Sequence, residues 1–195
     1  MKAFYINITC WLMCILSLGV PAKAQETTAI KSAVIGDIAP DFTLKNMDGD
    51  AVTMADYKGK IIVLDFWATW CGPCKASFPG MLVAKDRFKA DPNVVFLFID
   101  VSERSINYLG MIKSFLNQNS YRFTVLAHGR DQFGNQNRIM KDYGITGIPT
   151  KVVIDKAGTI RARHVGFNPN TTPEELADEV ERMIKKASKE QPVKA

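Results

Sequence analysis

The 195-residue chain is 47% hydrophobic, 23% charged and 10% aromatic, an ordinary globular composition that excludes a disordered tail, a collagen-like repeat or a multi-span membrane protein. Its formal charge is +5, and only +3 without residues 1–24, which carry Lys2 and Lys23 and no acid. So small a surplus gives no argument for nucleic acid as a partner.

The chain begins with basic Lys2 and an apolar run that is densest from Cys10 to Val20. Pro21 breaks the run, and Ala22-Lys23-Ala24 gives the small-x-small pattern of a signal-peptidase site. Residues 1–24 are therefore read as a signal peptide cleaved before Gln25. The alternative is an uncleaved N-terminal membrane anchor from Ala3 to Val20, against which Asn7 and Thr9 count. Either way Lys2 stays inside and the remainder is exported, to a periplasm or cell envelope. Cys10 and Cys14 leave with the leader, so the mature chain keeps only Cys71 and Cys74. The loop between them is too short to constrain an unfolded chain much, so the pair is a candidate for chemistry.

Residues 25–33 read as a loose linker, 34–187 as one α/β domain and 188–195 as a tail. Val34 to Leu44 reads as extended, with a break at Pro40. Met47-Asp48-Gly49-Asp50 is a turn, and Ala51 to Met54 completes a hairpin. Ile61 to Trp67 is a continuous apolar run rich in β-branched and aromatic residues, the mark of a strand buried on both faces. A helix follows from about Cys71 to Phe88, kinked at Pro79, which lacks the N–H its position would donate.

Val94 to Val101 is a second buried strand. Ile106, Leu109, Ile112, Phe115 and Leu116 recur at helical spacing. Phe123 to Leu126 is a short strand and Asn137 to Tyr143 a short helix ended at Gly144. Lys151 to Ile154 and Thr159 to Val165 flank the turn Asp155-Lys156-Ala157-Gly158. The last helix runs to about Ala187, with Thr172 as N-cap, Pro173 in its first position and Glu175 closing a capping box.

The chemistry centres on Trp70-Cys71-Gly72-Pro73-Cys74, where a buried strand turns into a helix. Residues three apart on a helix share a face, at a Cα separation of roughly 5–6 Å that a disulfide spans. The first cysteine meets the unpaired N–H groups and the positive end of the helix dipole, which favour a thiolate. Cys71 is thus the candidate attacking thiol. Cys74, a turn further in, is the candidate resolving thiol. Two other readings stand beside this one. A zinc site would need four ligands, and the mature chain offers Cys71, Cys74, His128 and His164, far apart in sequence. The second is an inert structural disulfide. Lys75 reads as a solvated lysine.

Phe66 to Lys75 resembles the thioredoxin active site, and Tyr143-Gly144-Ile145-Thr146-Gly147-Ile148-Pro149-Thr150 resembles the thioredoxin segment that holds a cis-proline. Gly36 to Leu44, with the strand and helix between Val101 and Asn137, resembles the exported TlpA/ResA-like branch. The resemblance covers about Val34 to Ala187. It implies a thioredoxin fold: a central mixed sheet flanked by helices, an N-terminal hairpin extension and a strand–helix insert. It implies that Asp65 is a buried acid with a raised pKa that takes the proton from Cys74. It also implies a cis Ile148–Pro149 bond, with Pro149 facing the disulfide and Ile148 offering backbone hydrogen bonds to an extended substrate. Trp67 and Trp70 flank the site, and Trp67 reads equally as part of a substrate platform or as a core residue, with Trp70, Gly72 and Pro73 at the contact surface.

Two departures narrow the expectation. Members of the branch that serve cytochrome maturation often carry an acid three residues after the second cysteine, where this chain has Ser77. Peroxiredoxins share Ala39-Pro40-Asp41-Phe42 but need Pro-x-x-x-Thr/Ser-x-x-Cys. Cys71 has Leu64 and Ala68 at those positions, and Cys74 has Trp67 and Cys71. The resulting expectation is an exported thiol–disulfide oxidoreductase that reduces protein disulfides and draws electrons from a membrane-bound donor. No haem, flavin or metal cofactor is implied. A disulfide-forming oxidase and a non-catalytic peptide-binding module are the alternatives.

Overall fold

The computed structural model describes residues 32–127 and 138–189. The proposed leader, most of the linker, the end of the tail and His128 lie outside them. Seven strands form one sheet: β1 (Thr43–Asn46), β2 (Ala51–Thr53), β3 (Ile61–Trp67), β4 (Val94–Asp100), β5 (Thr124–Ala127), β6 (Thr150–Ile154) and β7 (Ile160–Val165). Their spatial order is β2-β1-β5-β4-β3-β6-β7. β3, β4 and β5 run parallel, and the other pairings are antiparallel, so the sheet is mixed as expected. The helices are α1 (Gly72–Arg87), α2 (Tyr108–Gln118), α3 (Arg138–Asp142) and α4 (Pro173–Lys189).

The apolar run of β3 is buried at every position because the central strand has covered faces on both sides. Val63 and Trp67 point to a core shared with α1 and α4, which holds Cys71, Cys74, Phe78, Met81, Phe98 and Val180. Leu64 and Phe66 point to the other core, with Leu97, Ile99 and Tyr143. The strand–helix insert is α2 and β5. It places β5 between β4 and the N-terminal hairpin. The Thr172–Glu175 capping box at the start of α4 forms as expected.

Two segments differ from the sequence reading. Val34 to Leu44 is not one extended piece: it turns at Gly36, whose φ of 98° lies in the left-handed region, and pairs through Ile38 with Thr159 before β1 begins at Thr43. The helix predicted from Ile106 begins at Tyr108, and Ile106 is 94% exposed. Residues 101–107 form a loop beside the turn that carries the cysteines, so the helix starts late, and among its apolar residues only Ile112 is fully buried.

Candidate active site

β3 delivers the chain to the site and α1 begins there. Cys71 is the N-cap of α1, and its Sγ accepts the Cys74 amide N–H at 3.2 Å. Gly72 and Pro73 fill the first helical positions, where Pro73 costs no intrahelical bond. Cys71 and Cys74 form a disulfide with Cα atoms 5.3 Å apart, within the range that the three-residue spacing predicts. The two sulfurs are not equally accessible. Cys74 is fully buried, Cys71 retains 4% exposure, and Gly72 and Pro73 are exposed beside it. Ser77 is buried and its hydroxyl donates to the Cys74 carbonyl at 2.8 Å. Pro79 lies inside α1, where it has no N–H to offer the Lys75 carbonyl one turn back.

The tryptophans separate. Trp70 is 40% exposed, with the Arg104 guanidinium 4.2 Å from its ring centre. Trp67 takes the second of its two readings, that of a core residue: it is fully buried, with its ring 5.0 Å from Phe78 in an edge-on contact. Strand alternation sends Trp67 inward under α1, while Trp70 lies beyond the strand end. Lys75 sits with its Nζ 5.7 Å from the Phe115 ring centre.

The Ile148–Pro149 bond is cis. β6 starts at Thr150, paired with Phe66, so Pro149 lies at the end of β3 from which the cysteine turn departs. Ile148 packs against the core cluster that contains both cysteines. The Pro149 carbonyl accepts from Gly166 N–H at 2.8 Å.

Asp65 lies on the same sheet face as Val63 and Trp67, and its carboxyl is buried. Burial pushes its pKa up, opposed by the positive charge of Lys151. Lys151 sits directly across the β3–β6 pairing, its Nζ 3.6 Å from the Asp65 carboxylate. That is ion-pair distance and beyond hydrogen-bond reach. Lys151 is not among the candidate site residues legible from motif or resemblance. A lysine inside an otherwise apolar run, Lys151-Val152-Val153-Ile154, was the available signal.

A second group was also missed. Glu103 is buried and its carboxylate accepts two hydrogen bonds from Thr69: the amide at 2.5 Å and the hydroxyl at 2.8 Å. Asp100, at the end of β4, is buried beside it. Burial, a hydrogen bond to Glu103 and the Glu103 charge raise the Asp100 pKa to about 9. The Trp70 indole N–H donates to the Ser102 carbonyl at 2.9 Å, and Ser102 holds the left-handed conformation at φ 56°. His164, by contrast, lies in β7 with its Nδ1 against Glu179 of α4, a contact that ties strand to helix. Two cavities of about 290 Å³ lie elsewhere, one beside Phe42 and Arg138, the other beside Tyr57 and Lys156. Neither is lined by a cysteine.

Residues 35–163 match the AhpC/TSA family. The thiol–disulfide oxidoreductase ResA of Bacillus thuringiensis subsp. konkukian is 31% identical over 152 residues, 78% of this chain and 78% of that protein. The thioredoxin-like protein YneN of Bacillus subtilis is 30% identical over 73% of this chain and 78% of its own length. Among solved structures, a thiol:disulfide interchange protein of the thioredoxin family from Chlorobium tepidum TLS superposes with a TM-score of 0.61 at 28% identity. It covers 80% of this chain and 99% of its own. A secreted disulfide oxidoreductase of Mycobacterium tuberculosis gives a TM-score of 0.54 at 25% identity, covering 74% of this chain and 94% of its own.

Proposed function

The chain belongs to the AhpC/TSA family, among its thioredoxin-like thiol–disulfide oxidoreductases, and we propose that it is an exported reductase of protein disulfides. The observation that carries this reading is the Cys71 sulfur at the start of α1, within hydrogen-bond reach of the Cys74 amide. In the dithiol form that sulfur meets the unpaired N–H groups of the first helical turn, which stabilise a thiolate. Cys71 attacks one sulfur of a substrate disulfide, and the other sulfur leaves as a thiolate. Cys74 loses its proton and attacks Cys71 in the mixed disulfide. The substrate departs with two thiols, and the Cys71–Cys74 disulfide holds the two electrons' worth of oxidation. Asp65, buried with a raised pKa on the face that carries Cys74, takes the Cys74 proton.

Three observations support the finer points. The Gly72–Pro73 pair is that of reducing thioredoxins. The apolar run from Cys10 to Val20 and the following Ala22-Lys23-Ala24 support export, as does the likeness to a secreted oxidoreductase. The cis Ile148–Pro149 bond lies beside the cysteine turn, which supports a role for the Ile148 backbone in pairing with an extended substrate. Turnover in this compartment draws on a membrane-held dithiol donor that reduces the Cys71–Cys74 disulfide. Ser77 in place of an acid argues against an apocytochrome as the dedicated substrate.

The test compares Cys71→Ser and Cys74→Ser proteins. The first loses insulin disulfide reduction. The second accumulates mixed disulfides through Cys71 on non-reducing gels. Full activity in the first, or no adducts in the second, overturns the assignment of the two thiols.

A further inference from the structure

The Asp100–Glu103 pair has no part in the two-thiol cycle, yet it sits under the turn that presents Cys71. Both carboxyls are buried, at 1% and 6% exposure. Two neighbouring buried carboxyls do not both ionise at neutral pH, so they share a proton. Both Glu103 oxygens already accept from Thr69, so that proton is carried by Asp100, which donates to Glu103. Thr69 stands two residues ahead of Cys71. Its amide and hydroxyl are both used on the one carboxylate, and the next residue, Trp70, is fixed through its indole to the Ser102 carbonyl. The loop from Asp100 to Arg104 therefore grips the Thr69–Trp70 turn at three places: Glu103 on Thr69, Ser102 on the indole and Arg104 over the ring.

We propose that Asp100 and Glu103 are positioning residues for the attacking sulfur, sharing one proton so that Glu103 clamps Thr69 and fixes the turn into Cys71. The proposal rests on Cys71 being the nucleophile. Loss of the shared proton leaves two buried like charges, and their repulsion loosens the clamp. The charged and titratable groups on the elements that meet Asp100 and its loop are Asp65 on β3, Arg104 over the Trp70 ring, Lys75 on α1, and Arg138, Lys141 and Asp142 on α3, which touches the loop where Met140 Sδ accepts from the Ser102 hydroxyl. Burial and Glu103 alone account for the shift at Asp100.

The experiment uses the oxidised, ¹⁵N-labelled protein, in which neither cysteine titrates, and follows the Thr69 amide and Trp70 indole resonances from neutral to strongly alkaline pH. Both resonances are expected to move together with a midpoint at about pH 9. Asp100→Asn abolishes that movement, because its amide donates to Glu103 at every pH. Glu103→Gln moves the midpoint down, because the acceptor charge that raises Asp100 is gone. The pH profile of insulin reduction supplies the second readout. The ratio of Asp100→Asn to natural kcat/KM grows above the midpoint by up to about tenfold per pH unit, the slope of one ionisation. A Thr69 resonance that stays still in the natural protein, or that titrates unchanged in Asp100→Asn, overturns the proposal. So does a kcat/KM ratio that is flat with pH. Absence of insulin reduction alongside the expected Thr69 titration overturns the reductase reading instead and leaves the clamp standing.

Discussion

Asp65 and Lys151 face each other across the β3–β6 pairing with 3.6 Å between charged atoms, and each side chain is only 1% exposed. Neither side chain has a hydrogen-bond partner among the described residues. A buried pair of this kind is held by mutual charge against a large desolvation cost. Lys151 therefore limits how far burial raises the Asp65 pKa, and with it the proton affinity of the proposed base.

Removing the lysine isolates the acid. Lys151→Met raises the Asp65 pKa further and lowers stability by about 3–5 kcal/mol where Asp65 would be charged. A carboxyl whose folded pKa lies above its unfolded value gives stability that is complete below the unfolded value and lost as pH rises through the folded one. The deficit of Lys151→Met is therefore larger at mildly alkaline pH than in acid. Urea denaturation at both conditions checks this, and an equal deficit would remove the charge pairing from the account.

Asp65→Asn separates the two thiol steps. Without the base, release of substrate from the mixed disulfide slows by about a hundredfold or more, while the first attack by Cys71 is little changed. Stopped-flow measurement of the two phases decides. Unchanged release kinetics would exclude Asp65 from the proton transfer.

Asp100 carries a stability signature separate from its proposed positioning role. Its folded pKa of about 9 stands far above the ordinary aspartate value, so its contribution is complete in acid and declines as pH rises towards 9. Asp100→Asn does not titrate. It gains on the natural protein by up to about 1.4 kcal/mol per pH unit across that window. Chemical denaturation as a function of pH measures the gain, and a pH-independent difference would contradict the assignment of the proton.

Gly80 sets the closest approach of α1 to α4. A Cβ there would lie 2.8 Å from the Leu176 side chain and 3.0 Å from the Pro173 carbonyl. Gly80→Ala therefore pushes the two helices apart and costs about 1–3 kcal/mol. A drop in thermal midpoint is the expected readout. A gain, as helix propensity alone would give, would show that the contact relaxes freely.

The sequence by itself determined the features that depend on near neighbours in the chain. The C-x-x-C pair at a helix start, the all-buried run of β3 and the Thr172–Glu175 capping box are each set by spacing within one or two turns. Asp65 as a buried acid was legible through likeness to thioredoxin, and the apolar run around it gives the physical reason for its raised pKa. The cis bond at Pro149 was legible only through likeness to thioredoxin, since spacing says nothing about peptide isomers. Other features waited on the tertiary structure. Lys151 meets Asp65 only because β6 pairs with β3 in one register, and a shift of one residue would send it to the other face. Glu103 reaches Thr69 across 34 residues because β3 and β4 lie parallel and end together, so the loops that leave them meet. Ile106 fits a helical period yet stands exposed, because the loop it belongs to is held against the cysteine turn. Local spacing fixes which residues share an element, but sheet order and register decide which elements bring their charges together.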